Sequence, residues 1–237
     1  LSLLDILFPP RCAGCARRGA WLCATCVAAL PRLPERRCRR CSDVCDDDIC
    51  AACLRQPPPF DSLRCGFVYA GLAREAIHRL KYNGERQLAP VLVSAMVNAE
   101  PGLPRGDLLA PIPLHPARLR RRGYNQAELI ARALGQSLRV ATADRALHRL
   151  RDTASQVTVP AQQRWSNVRD AFAAEPSVVS GKHVILVDDV ATTTSTLRAA
   201  ALTLRDAGAA HVDAIVLVRA LTSDPPRRGT LVAPDAH

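Results

Sequence analysis

The stretch 184–196, VILVDDVATTTST, ends an apolar run in two adjacent carboxylates and places five hydroxyl residues among the next seven. Paired acids can accept hydrogen bonds from neighbouring hydroxyls. A hydroxyl-rich turn that opens a helix suits an anion, because the first helical amides are unpartnered and the dipole is positive there. A ligand with sugar hydroxyls and a phosphate would use both features, and a diphosphate beyond the sugar would bring magnesium. Two simpler readings compete. A Walker-type nucleotide site needs G-x-x-x-x-G-K-[ST], and no such stretch occurs; Gly181-Lys182 precedes the apolar run and is followed by His183. A purely structural reading, with Thr194 or Ser195 capping the next helix, explains a hydroxyl but not the paired acids beside it.

A second chemistry lies near the start of the chain. Nine of the ten cysteines fall between residues 12 and 53, in four C-x-x-C pairs plus Cys45. The pairs are Cys12/Cys15, Cys23/Cys26, Cys38/Cys41 and Cys50/Cys53. Two intervening residues let one tight turn aim both sulfurs at a tetrahedral metal, and two such turns complete a four-thiolate zinc site. The segment reads as two successive zinc ribbons with one or two structural zinc ions, although the spacing leaves open which pairs share a metal. A disulfide framework is the rival, and an iron–sulfur cluster a weaker one. Cys45 and Cys65 are left over as structural residues.

Half the residues, 48%, are hydrophobic, so the 237-residue chain can build a substantial core; only 4% are aromatic, leaving aliphatic residues and Ala to fill it. No apolar stretch reaches the ~18–20 residues of a membrane span, and the opening LSLLDILFPPRC lacks the marks of a secretory signal, so the expected location is the cytoplasm. The net charge of +10 comes almost wholly from arginine, Lys81 and Lys182 being the only lysines. Such charge attracts phosphates, and between residues 116 and 164 ten arginines face only Glu128, Asp144 and Asp152.

The elements that must position these groups can be read from periodicity. RQPPPFD (55–61) is an extended linker. Strands are expected at 63–70, 107–114, 182–189 and 211–220, and helices at 72–82, 87–99, 124–135, 161–172 and 196–208. Gly135 and Gly208 are candidate C-caps. KHVILVDD (182–189) is apolar on both faces, as a central parallel strand requires. With the following helix and strand it forms a right-handed crossover, so the fold class is α/β with a parallel sheet. Ligands on such sheets bind at the carboxyl ends of strands, where Asp188 and Asp189 stand.

DDVATTTST resembles the phosphoribosyl-pyrophosphate signature of type I phosphoribosyltransferases, with Thr194 where the pattern has Gly. LKYNGER (80–86), PIPLHPARLRRRGYNQAE (111–128), RDTASQ (151–156), RWSNVRDAF (164–172) and the cysteine segment together resemble the ComF family. The resemblance implies a type I phosphoribosyltransferase-like domain over 57–220, after a double zinc ribbon over 1–56 and before a tail over 221–237. It implies that Asp188 and Asp189 hold ribose hydroxyls and that Thr192, Thr193, Thr194, Ser195 and Thr196 hold the 5′-phosphate. Pro113, Leu114, His115 and Arg118, with Arg120, Arg121 and Arg122, would lie on the pyrophosphate side, and Asn125 and Gln126 would line the cleft. The implied ligand is phosphoribosyl pyrophosphate with magnesium, and the implied activity is phosphoribosyl transfer. The family's association with competence implies a second class of partner, single-stranded DNA or recombination proteins, handled without catalysis. The low aromatic content argues against a stacking groove for single strands. A β-branched residue at position 194 disfavours the left-handed backbone that Gly would allow there.

Overall fold

The computed structural model describes residues 9–151 and 171–221. Residues 161–170 of the helix expected at 161–172, nearly all of RDTASQ, and the tail beyond Leu221 lie outside them; Phe172, the last residue of that expected helix, is in a strand instead.

Five parallel strands form the main sheet: β1 (Leu63–Val68), β2 (Leu108–Pro111), β3 (Ala141–Thr142), β6 (His183–Ala191) and β7 (His211–Arg219), in the order β1-β7-β6-β2-β3. A separate antiparallel pair joins β4 (Leu147–Arg149) to β5 (Phe172–Ala174). β6 is central because its side chains are apolar on both faces. Ile185 and Val187 enter one core with α3 (Gly71–Tyr82), α4 (Leu88–Ala99) and α6 (Gln126–Leu138). Val184 and Leu186 enter the other, with α8 (Ser195–Asp206). All four side chains are fully buried, and each contributes about 1.5–3 kcal/mol of transfer free energy. Because the strands are parallel, Val68, Pro111, Ala191 and Arg219 end at the same edge of the sheet.

Two further features differ from the sequence expectation. The 107–114 stretch is strand only to Pro111, and Pro116–Arg122 forms a short helix, α5, with Pro at its start and Gly123 (φ 79°) closing it. Gly135 does not end α6, which runs on to Leu138 and closes at Arg139 in a left-handed conformation. A Cβ at Gly135 would lie 2.7 Å from the Val140 carbonyl oxygen, so the residue lets the chain fold back closely against the helix. Gly208 follows α8 with φ 93°, as a C-terminal glycine should.

The cysteine segment contains two copies of one unit. In the first, Ala16 N donates to Cys12 O and Cys12 N to Arg17 O; in the second, Ser42 N donates to Cys38 O and Cys38 N to Asp43 O. Ala16 and Ser42 share a left-handed backbone (φ 59° and 58°). Each unit's second cysteine pair opens a one-turn helix, α1 (Ala24–Ala28) or α2 (Ala51–Arg55), with Cys23 or Cys50 as the N-cap and Cys26 or Cys53 inside the turn. Between the units, Val68 N donates to Pro31 O at 2.8 Å and Arg32 bridges Phe67, so the segment adds to the β1 edge. A short helix α7 (Pro176–Val179) leads into β6.

Candidate functional site

Asp188 and Asp189 lie inside β6, which continues through Val190 and Ala191 beside Val218 and Arg219. Asp189 is 3% exposed. Its Oδ1 accepts a 3.0 Å bond from Gln126 Nε2, and its Oδ2 pairs with the Lys81 ammonium. Gln126 is itself oriented from the other side, where Arg122 Nη1 donates to its Oε1 at 2.5 Å. Burial acts to lower the Lys81 pKa, but the carboxylates of Asp189 and Asp188 reverse this and raise it, so the lysine stays charged. Asp188 is only partly exposed, and its Oδ1 accepts from Asp189 N at 2.8 Å. Burial, then the neighbouring Asp189, hold the Asp188 carboxyl well above the ordinary carboxylate range.

The loop after β6 is fixed at its base and open at its tip. Thr192 and Thr193 are exposed, and Thr193 Oγ1 lies 2.9 Å from Ser195 Oγ. Thr194 is the N-cap of α8, makes no side-chain capping bond, and takes the left-handed conformation (φ 61°, ψ 7°) while 7% exposed. The conformation that a glycine would adopt freely is thus held by a β-branched residue, at a cost of about 1–2 kcal/mol. Ser195 and Thr196, partly buried, form the first turn of α8, whose amides face the loop.

The second loop begins where Ile112 N donates to Val187 O at 2.8 Å, immediately beside Asp188. Pro113, Leu114 and His115 are partly exposed there, and His115 Nδ1 accepts from Ala117 N to cap α5. On α5, Arg120 and Arg121 are exposed and Arg118 and Arg122 partly so, Arg122 lying over the Tyr82 ring at 5.2 Å. Asn125 is buried; its Oδ1 caps α6 through Ala127 N and its Nδ2 donates to Ile112 O, both at 3.0 Å. It holds the loop to the helix, whereas Gln126 reaches the acids. Tyr124 packs inward, its hydroxyl donating to Leu80 O.

Spacing does not point to Lys81. It had one signal: it is one of two lysines in a chain that otherwise uses arginine, within the LKYNGER stretch.

The cysteines form two sets, Cys12/Cys15/Cys23/Cys26 and Cys38/Cys41/Cys50/Cys53, the sulfurs of each within 4.8 Å of one another. Sequential pairing therefore holds, and no disulfide joins any of the ten cysteines. A tetrahedral zinc with ~2.3 Å arms spaces its sulfurs by about 3.8 Å; Cys15 to Cys23 and Cys41 to Cys50 both measure 3.7 Å. Burial raises the Cys12 and Cys38 thiols, but backbone amides outweigh it and bring them down to about 6 and about 7. Burial and neighbouring sulfurs push Cys26 and Cys53 up to about 12 and Cys41 up as well. Four crowded sulfurs that resist joint ionisation are the donor set a divalent zinc relieves.

Comparison with known proteins agrees with both parts. Residues 3–54 match the double zinc ribbon domain, and residues 119–233 match the phosphoribosyl transferase domain. The chain is 33% identical over 218 residues to the DNA utilization protein YhgH of Salmonella typhi, covering 89% of each chain. It is 30% identical to competence protein F of Haemophilus influenzae, covering 84% of this chain and 90% of that one. It is 26% identical to competence protein ComFC of Bacillus subtilis, covering 84% of each. Among the described residues no helix is long and apolar enough to cross a membrane. A double zinc ribbon leading into a parallel-sheet phosphoribosyltransferase-like domain, with relatives of this extent, places the chain in the ComF family.

Proposed function

We propose that the chain binds phosphoribosyl pyrophosphate with magnesium and transfers the phosphoribosyl group to a nitrogen nucleophile. The observation that carries this reading is the adjacency of Asp188 and Asp189 on β6 to the hydroxyl loop that opens α8. Asp188 and Asp189 accept bonds from the ribose hydroxyls. Thr192 to Thr196 and the first amides of α8 receive the 5′-phosphate. Pro113 to His115, Arg118 and Arg120 to Arg122 face the diphosphate, where their cations stabilise the charge that develops as it departs. Lys81 neutralises Asp189 while the site is free, and Gln126 fixes that carboxylate's orientation. Magnesium would take most of its ligands from diphosphate oxygens and water, with Asp188 the carboxylate best suited to the ion or its water. In the transfer the anomeric carbon–oxygen bond breaks, diphosphate leaves with the electron pair, a carbon–nitrogen bond forms and the nitrogen loses a proton. The protein's part is chiefly to hold the reactants in line. Cysteines arranged to bind metal, not to form disulfides, suit a reducing cytoplasm.

Calorimetric titration of phosphoribosyl pyrophosphate with magnesium tests the reading. Wild type should bind, and Asp188→Asn/Asp189→Asn should lose about 100-fold or more in affinity, from two charge-assisted contacts. A folded, zinc-loaded wild type that gives no heat of binding would sink it.

A second reading is favoured by the names of the relatives, DNA utilization and competence proteins, and by the exposed Arg120 and Arg121 on α5. In it the chain handles single-stranded DNA or recombination proteins without catalysis. Phosphate-driven DNA affinity would fall steeply with salt.

A further inference from the structure

Arg219, the last residue of β7, is 3% exposed and carries its charge beneath the loop that follows β6. Its Nη1 donates towards the carbonyl oxygens of Ala191, Thr192 and Ala220. Its Nη2 reaches out of the sheet to Asp43 Oδ2 at 3.6 Å, and Asp43 belongs to the second zinc ribbon, two residues after Cys41. The Nε is buried without an acceptor, so this guanidinium is held in place by the groups at its other end. Asp43 is in turn set by the ribbon's own turn: its carbonyl accepts from Cys38 N at 2.8 Å and its Oδ1 from Val44 N at 3.2 Å. A second tie runs alongside. Arg198, in the first turn of α8, donates to Gln56 O at 3.1 Å just beyond α2.

We infer that Arg219 is a positioning residue for the 191–196 loop, and that the second zinc ribbon, through Asp43, fixes the loop's shape from below. The first ribbon has no such arm: the position equivalent to Asp43 is Arg17, which is exposed. A buried guanidinium that spans two carbonyls of the loop base and one ribbon carboxylate transmits order in the ribbon to the loop. Thr194 makes that support necessary, since its left-handed backbone persists only where its surroundings enforce it. The inference concerns the shape of the loop that the proposed function uses, and its test needs no ligand.

The test is hydrogen exchange on the zinc-loaded full chain, comparing wild type, Asp43→Asn and Arg17→Asn. Asp43→Asn keeps an acceptor for Val44 N and removes the charge facing Arg219. Its expected signature is exchange faster by about tenfold or more at 191–196, with 184–187 unchanged and the zinc content intact. Arg17→Asn should leave the loop as in wild type. A third variant, Arg219→Lys, keeps the charge but cannot span both ends, and should show the same loop loosening. Unchanged exchange at 191–196 in Asp43→Asn, or equal loosening in Arg17→Asn, overturns the inference. Titration of the same samples with phosphoribosyl pyrophosphate and magnesium separates the two questions: a wild type that does not bind fails the proposed function, while the exchange data still decide the strut.

Discussion

The two zinc ribbons share one backbone plan and are attached to the molecule in opposite ways. The first sinks Cys12, Ala13, Leu22 and Leu30 into the core under α3, among Ile77 and Leu80. A Cβ at Gly14 would meet Leu72 Cδ1 at 2.7 Å, so the turn lies directly on that helix. In the second, Cys38, Cys41 and Cys53 form a separate cluster with Ile49 and Cys45. Its ties to the domain are polar: Arg37 grips both oxygens of Glu100 at 2.6 Å, Ser42 Oγ donates to Leu63 O at 2.5 Å, and Asp43 meets Arg219. Apolar burial is non-directional and stabilises the fold as a whole, whereas charged contacts fix particular atoms in place. One motif, used twice, thus serves core stability under α3 in one copy and the inferred loop geometry in the other.

That contrast can be broken most forcefully by removing metal. Cys15→Ser/Cys23→Ser should lower thermal stability far more than Cys41→Ser/Cys50→Ser, because the first ribbon's residues are shared with the main core; melting curves paired with zinc analysis would reverse the assignment if the order came out the other way. Leu30→Ala, at a side chain 3% exposed, should cost about 2–5 kcal/mol in urea unfolding. Arg37→Ala, cutting the second ribbon's tie to Glu100, should cost about 1.5–3 kcal/mol, and a larger loss than Leu30→Ala would erase the distinction. The smallest effect belongs to the loop itself. Thr194→Gly relieves about 1–2 kcal/mol of backbone strain but adds about 0.5–1 kcal/mol of chain entropy. Stability should therefore change little while affinity for phosphoribosyl pyrophosphate rises; a fall in affinity would mean that the Thr194 side chain contributes to the loop.

The acids make a prediction of their own. The folded Asp188 carboxyl is held well above its unfolded value, so its ionised form destabilises the free protein. Asp188→Asn should raise the melting temperature at neutral pH. The gain should shrink as pH falls through the raised folded value and vanish below the ordinary carboxylate range, where both states bind the proton. A gain that persists in acid would assign it to something other than charge.

Much of this was legible in local sequence. The central strand could be read because Val184 to Val187 are apolar on both faces, and the cysteine pairs because tetrahedral metal sites impose short spacing. What spacing left open was tertiary. Lys81 meets Asp189 only once α3 packs on the core face of β6, and Arg219 reads as one more strand residue until a ribbon carboxylate faces it. Gly135 looked like a helix terminator because its role is the close approach of Val140, which no periodicity encodes. α5 carries no helical signal in the sequence, because its seven residues are mostly basic and lack an apolar stripe.

The central claim is that one phosphoribosyl site is formed at the carboxyl ends of β2 and β6. Hydrogen exchange of the wild-type chain, with and without phosphoribosyl pyrophosphate and magnesium, tests its location most directly. Protection confined to 112–122 and 188–197, with both ribbon cores unchanged, is the predicted result. No protection at saturating ligand, or protection confined to the ribbons, would contradict it.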